Sequence, residues 1–194
     1  ESVVAFDKIP DVSSPRLYSF DATRTAIFDI NGDGYKDLTE WVAPGLGLLV
    51  FPSWPGAVVG EPGSWTWMGP ISGQDLIGTA GGYRDGFERL HAFDQNADMR
   101  VEGGELSGLL IWTDTNGDGV PDTGELAKPE ELGVTELVLP ESGLQSTFKR
   151  ADMSTGNMWD WWPTYVPVRP LPGGPSPDKA AYWELVAVHG SFKF

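Results

Sequence analysis

Residues 94–125 read DQNADMRVEGGE-LSGLLIWT-DTNGDGVPDTGE, two twelve-residue stretches with eight residues between them. In each stretch, oxygen-bearing side chains fall at positions 1, 3, 5, 9 and 12, the spacing of a calcium-binding loop of the EF-hand type. A pair of ordinary EF-hands would need an exiting helix, a linker and an entering helix between its loops. LSGLLIWT is too short to hold them. Leu109-Leu110-Ile111-Trp112 reads instead as a buried strand feeding the second loop. The loops therefore sit in a β framework, and this reading decides the fold class.

A third stretch upstream, Asp29-Ile30-Asn31-Gly32-Asp33-Gly34-Tyr35-Lys36-Asp37-Leu38-Thr39-Glu40, has the same spacing. The expected ligands there are Asp29, Asn31, Asp33, the Tyr35 carbonyl, Asp37 and Glu40. In the last loop they are Asp114, Asn116, Asp118, the Val120 carbonyl, Asp122 and Glu125. In the middle loop they are Asp94, Asn96, Asp98, the Arg100 carbonyl, Glu102 and Glu105. The chain has only four Asn, and Asn31, Asn96 and Asn116 each fall at position 3. Hairpin turns would account for the Asn-Gly and Asp-Gly pairs, but not for the later acids at positions 9 and 12. Calcium is expected at the two outer loops. The middle loop has Met99 where the turn glycine belongs, and a side chain with a Cβ resists positive φ. Weak binding, altered geometry and a relic all stay open for it.

The net charge of −15 disfavours nucleic acid and anionic membranes as partners. Twelve of the 28 acids lie in the three loops, four in each, so empty loops carry strong self-repulsion. The chain has no cysteine, hence no disulfide and no thiolate zinc site. Only His91 and His189 are present, far apart in sequence, which argues against a zinc or iron centre. No run approaches the ~20 apolar residues of a membrane span. The start at Glu1 without Met suggests a processed secreted protein or an excised segment. Loops that need calcium near millimolar would fill outside cells, so an extracellular or cell-surface location is expected.

The expected elements are mostly strands. Thr25 to Phe28 and Leu46 to Phe51 read as strands, the second after a turn at Pro44-Gly45. Residues 52–72, rich in Gly, Pro and Trp, read as an irregular insertion. Asp85 to Phe93 is a helix with Phe87, Leu90 and His91 on one side, a stripe that suits core packing. Leu126 to Leu132 reads as a short helix ended by Gly133, and Val134 to Leu139 as a strand. Ser146 to Asp152 and Met158 to Trp162 form a hairpin around Ser154-Thr155-Gly156. Residues 163–178 are a proline-dense connector. Val3 to Phe6 and Trp183 to Phe194 are apolar and strand-like, and are expected to add strands to a sheet within the subunit or across to a neighbour. The expectation is a mainly β fold with short helices, a calcium-loop-stabilised β-sandwich-like domain. Residues 1–145 form the calcium-loop core, and 146–194 a β-rich, Trp- and Pro-rich extension of the same domain.

Several of these segments together resemble a calcium-binding module of bacterial RTX-type exoproteins. They are FDINGDGYKDLTEWV with GLGLLV, GFERLHAFDQNAD, LLIWTDTNGDGVPDTGELAKPEELGV and FKRADMSTGNMWDWW. The resemblance covers about two thirds of the chain in order. The module occurs in the calcium-dependent self-processing region of iron-regulated RTX proteins and in large adhesin-like proteins. In place of the family's further loop-like stretch stands FPSWPGAVVGEPGSWTWMG, and the glycine-rich nonapeptide repeats are absent. Self-processing members cut an Asp-Pro bond and rejoin the freed Asp to a lysine amine. This chain contains no Asp-Pro, so such a bond would lie before Glu1. The resemblance implies an extracellular calcium-binding structural or adhesive module. The alternatives are a self-assembling surface or fibre subunit, a self-processing module, and a carbohydrate-binding domain using Trp159, Trp161 and Trp162. The expected partners are the chain itself or a surface glycan, with no nucleic acid and no membrane insertion. No nucleophile constellation is present, and ordinary enzyme activity is not expected.

Overall fold

The computed structural model describes residues 3–6, 24–54, 56–69 and 71–168. The strand expected over Trp183 to Phe194 lies outside the described residues. Within them the fold is mainly β. One antiparallel sheet contains β1 (Val3–Phe6), β4 (Gly47–Val50), β7 (Arg100–Glu102), β8 (Leu110–Thr113), β9 (Leu126–Ala127), β10 (Val134–Val138), β11 (Gln145–Arg150) and β12 (Thr155–Trp161). Its order is β7-β10-β11-β12-β1-β4-β8-β9, and it curls as a β-sandwich-like domain requires. A second sheet places β3 (Asp37–Glu40) between β13 (Tyr165–Pro167) and β2 (Thr25–Phe28).

Alternation along the central strands puts side chains on both faces of the main sheet. Val3 and Ala5, Leu48 and Val50, Leu110 and Trp112 all enter one buried cluster. Their intervening neighbours Val4, Leu49 and Ile111 enter the other. The first cluster is closed by Ala26, Phe28 and Trp41 from the hairpin of the second sheet. The second is closed by Phe87 and Leu90 of α1 (Gly86–His91). The helix forms where the Asp85 carboxylate caps it, accepting the Glu88 N–H at 2.7 Å. Its first turn is pinned to β12, because the Gly86 N–H donates to the buried Asp160 carboxylate at 3.1 Å. A Cβ at Gly86 would stand 2.7 Å from both Asp160 Oδ1 and Val4 Cγ2.

Two expectations change and a third is met. Leu126 and Ala127 are not helical, since pairing of Ala127 with Ile111 captures them as β9. Only one 3-10 turn, Pro129–Leu132, remains before Gly133 stops it at φ 71°. The insertion over 52–72 holds a small hairpin, β5 (Val58–Val59) with β6 (Thr66–Trp67). The N-terminal segment does add a strand, and does so inside the subunit, between β12 and β4. The strands β11 and β12 after residue 145 share one sheet with β4 and β8 before it.

The chain after β6 is tied to the upstream loop by close backbone approach. The Gly73 N–H donates to the Asp29 carbonyl at 2.7 Å. A Cβ at Gly73 would lie 1.8 Å from the Ile30 carbonyl oxygen. Gly73→Ala is therefore expected to lower stability by on the order of 1–3 kcal/mol, the range for forced overpacking. Gly104→Ala, where the added methyl meets nothing within 4 Å, is expected to stay near neutral. Urea unfolding of the two variants in parallel checks the contrast.

Candidate metal centres

The three acidic loops share one backbone plan. Positions 4 and 6 hold positive φ in each: Gly32 at 68° and Gly34 at 88°, Ala97 at 59° and Met99 at 67°, Gly117 at 75° and Gly119 at 73°. The chain thereby coils around the carboxylate at position 1. Asp29 accepts the N–H groups of Asp33 at 3.1 Å and Gly34 at 2.9 Å. Asp94 accepts those of Asp98 at 3.2 Å and Met99 at 2.9 Å. Asp114 accepts those of Gly117 at 2.7 Å and Gly119 at 2.8 Å. Met99 takes the left-handed conformation that its Cβ opposes. Its side chain packs against the second hydrophobic cluster, which offsets part of that strain.

Position 12 separates the loops into two kinds. Glu125 folds back and accepts the N–H of Thr115 at 2.8 Å and of Asp122 at 3.0 Å, positions 2 and 9 of its own loop. Glu105 does the same, accepting from Gln95 at 2.9 Å and Glu102 at 3.2 Å. Glu40 sits at the end of a strand. It lies in β3 opposite Thr25, whereas Asp37 faces Phe28 beside the loop. Three residues of strand put its Cα roughly 10 Å beyond that of Asp37, and its carboxylate accepts the Thr164 N–H at 2.8 Å. Asp29, Asn31, Asp33 and Tyr35 thus lie on the turn between β2 and β3, Asp37 opens β3 and Glu40 ends it.

The residues before position 12 supply the reason. The last loop has Gly124 at φ 89° and the middle loop has Gly103 at φ 55°, each breaking the strand so that the chain can turn inward. The upstream loop has Leu38-Thr39 there, which continue as a ladder. A glycine at position 10 or 11 was the available signal in the sequence.

Burial and hydrogen bonding set the charge state. Burial pushes the Asp29 carboxyl above its ordinary 3.8, with the Asp33 charge adding to it and the Gly34 and Asp33 N–H groups only partly offsetting it. Burial would also raise Glu125, but donation from Thr115, Asp122 and the Trp112 indole outweighs it and holds the group below 4.5. In the loop interior the Asn116 amide donates to Asp118 at 2.9 Å and to Asp122 at 3.0 Å, drawing two carboxylates together. Among the described residues, no three His, Cys, Asp or Glu side chains converge closely enough to hold a metal by themselves. The donor set of carboxylate, amide and carbonyl oxygen nevertheless fits a hard cation in its chemistry. The Arg100 side chain leaves its loop and pairs, together with Lys149, with Glu136.

Two further residues reach the last loop and were not foreseen. The Trp41 indole N–H donates to Asp114 Oδ2 at 2.6 Å across 73 positions of sequence, and the Trp112 indole N–H donates to Glu125 Oε2 at 3.2 Å. The tryptophans considered for sugar binding, Trp159, Trp161 and Trp162, are all half-buried. Trp161 packs against the first cluster, and the Trp162 indole donates to Asp160 at 3.1 Å. No helix of the described residues is long and apolar enough to cross a membrane.

The family profile described as SPM domain matches residues 68–163. That span holds the middle and last loops with β7 to β12, and it stops short of the upstream hairpin. The chain is also similar to the iron-regulated protein FrpA of Neisseria meningitidis serogroup C, at 25% identity over 155 residues. The aligned part is 70% of this chain and 13% of that protein, so the chain spans a small fraction of its relative's length. Both likenesses fit the self-processing-module resemblance read from the sequence.

Two outcomes test this description of the loops. Ala97 and Gly117 occupy the same left-handed position 4, and space around Gly117 is open. Gly117→Ala is expected to cost about 1–2 kcal/mol of unfolding free energy. Ala97→Gly is expected to gain up to about 1 kcal/mol, reduced by the looser unfolded chain. Urea denaturation of the metal-stripped proteins reads both. The lowered Glu125 value adds stability that is present above 4.5 and lost as pH falls through its folded value. The stability gap between the parent and Glu125→Gln should therefore narrow as metal-free protein is taken below that pH.

Proposed function

We propose that this chain is a calcium-stabilised extracellular structural or adhesive module of a larger RTX-type exoprotein. The observation that carries the reading is the return of Glu105 and Glu125 to the N–H groups at positions 2 and 9 of their own loops. A twelve-residue calcium loop needs its last carboxylate there, where both oxygens can reach the ion. Asp114, Asn116, Asp118, the Val120 carbonyl, Asp122 and Glu125 would hold one ion. Asp94, Asn96, Asp98, the Arg100 carbonyl, Glu102 and Glu105 would hold a second. Asp29, Asn31, Asp33, the Tyr35 carbonyl and Asp37 would hold a third at the hairpin tip, without Glu40. The ion would neutralise carboxylates that burial and mutual repulsion otherwise penalise, and so act as a folding ligand for a chain with no disulfide.

A second reading, a calcium-dependent self-processing module, is favoured by the SPM match and by the FrpA likeness. Its scissile Asp-Pro bond would belong to the parent protein, since residues 1–194 contain none. Incubating the parent protein, upstream segment included, with calcium and sequencing any new N-terminus decides it. An intact parent in saturating calcium ends this reading and leaves the structural one standing.

The structural reading is tested by melting the chain in EGTA and in calcium. Each site filled at 100-fold over its Kd adds about 2.7 kcal/mol, on the order of 5–10 °C for a domain of this size. Equal midpoints would overturn it. Glu105→Gln and Glu125→Gln should each abolish one step of the calcium titration, Glu102→Gln should be milder than either, and Glu40→Gln should leave every step in place.

A further inference from the structure

The upstream hairpin and the last loop are separate in sequence but share one aromatic junction. Trp41, directly after β3, extends the hairpin through its N–H to the Arg24 carbonyl at 3.0 Å. Its ring packs on Phe28 at 5.1 Å and on Trp112 at 5.5 Å, and Phe28 meets Trp112 at 6.0 Å between centroids. Phe28 immediately precedes Asp29, the first residue of the hairpin tip. Trp112 lies two residues before Asp114. The last loop also rests directly on β2, because a Cβ on Gly119 would meet Ala26 Cβ at 3.1 Å and Phe28 Cβ at 3.6 Å. Through this junction the Trp41 indole reaches the fully buried Asp114 carboxylate at 2.6 Å.

We propose that Trp41 is a positioning residue that couples the two loops, orienting Asp114 so that cation binding at the 29–37 tip strengthens binding at 114–125. A hydrogen bond to a ligating carboxylate fixes which oxygen faces the ion, and loss of such an outer partner weakens metal affinity about 10–100-fold. The hairpin that holds Trp41 carries Asp29, Asp33 and Asp37 at its tip, and a short hairpin is marginal by itself. A cation at the tip relieves their repulsion, tightens β2 against β3 and so holds the indole on Asp114. Linkage makes the effect reciprocal, so filling 114–125 also strengthens the tip. The middle loop stands on β7, at the opposite edge of the main sheet from β8 and β9, and is outside this coupling.

The inference rests on the calcium reading, and the experiment separates the two. Calcium chloride is titrated into the metal-stripped full chain by calorimetry, with tryptophan fluorescence recorded in parallel. The step lost in Glu125→Gln is assigned to 114–125. Trp41→Phe, which keeps a ring and removes the N–H donor, is expected to weaken that step about 10–100-fold while leaving the middle-loop step unchanged. Asp33→Ala, at the exposed tip, is expected to weaken the same step about fivefold or more. In the double variant Asp33→Ala should add nothing at 114–125, which distinguishes coupling through Trp41 from general loosening. An unchanged 114–125 step in either single variant, or additive losses in the double variant, overturns the coupling. If Trp41→Phe does not fold by circular dichroism in calcium, the Asp33→Ala titration decides alone. Absence of any calcium heat in the unaltered chain overturns the calcium reading itself.

Discussion

Each loop is organised by one aspartate that takes two backbone N–H groups of its own chain, and the neighbouring structure depends on that contact. Asp29, Asp94 and Asp114 convert a run of repelling acids into a tight reversal by supplying acceptors where the backbone has donors to satisfy. The reversal at 114–125 returns the chain as β9 beside β8, and the one at 29–36 returns it as β3 beside β2. Both hairpins supply walls of the same aromatic junction. The strands are short, so the loops and not strand length hold them in register.

The cost of the arrangement is electrostatic. Buried carboxylates at Asp29, Asp37, Asp114 and Glu125 lose water that stabilises their charge. The chain meets part of that cost internally, with backbone N–H groups and two indoles. Asp29 still ends with a raised pKa, whereas Glu125, with more donors, ends with a lowered one. A divalent cation would reverse the sign of these penalties. On the proposed reading, donors that organise each loop without metal also hold its oxygens for the ion.

The loop comparison runs against the ranking that residue types alone suggest. By residue type, the upstream and last loops match the pattern in full and the middle one departs from it at Met99. In the fold, the middle and last loops are alike, each closed by its position-12 glutamate, and the upstream loop is the odd one. Met99 does not break its loop because its side chain packs against the second cluster, an advantage that compensates for left-handed strain. Glu40 ends a strand because Leu38 and Thr39 continue a ladder that pairs on both edges.

Spacing and local chemistry were enough to read the positions of the loops, the β character, most strands, the helix within 85–93 and the stop at Gly133. These depend on neighbours within a few residues, where φ preference, alternation and capping act. Sequence did not determine which oxygens converge. The place of Glu40 was set by pairing of β3 with β2 and β13, the loss of a helix at Leu126 by capture onto β8, and the central position of β1 by its fit between β12 and β4. The contact of Trp41 with Asp114 joins residues 73 positions apart. Nothing in the local pattern around either residue encodes it, because it exists only once two hairpins pack on one face of one sheet.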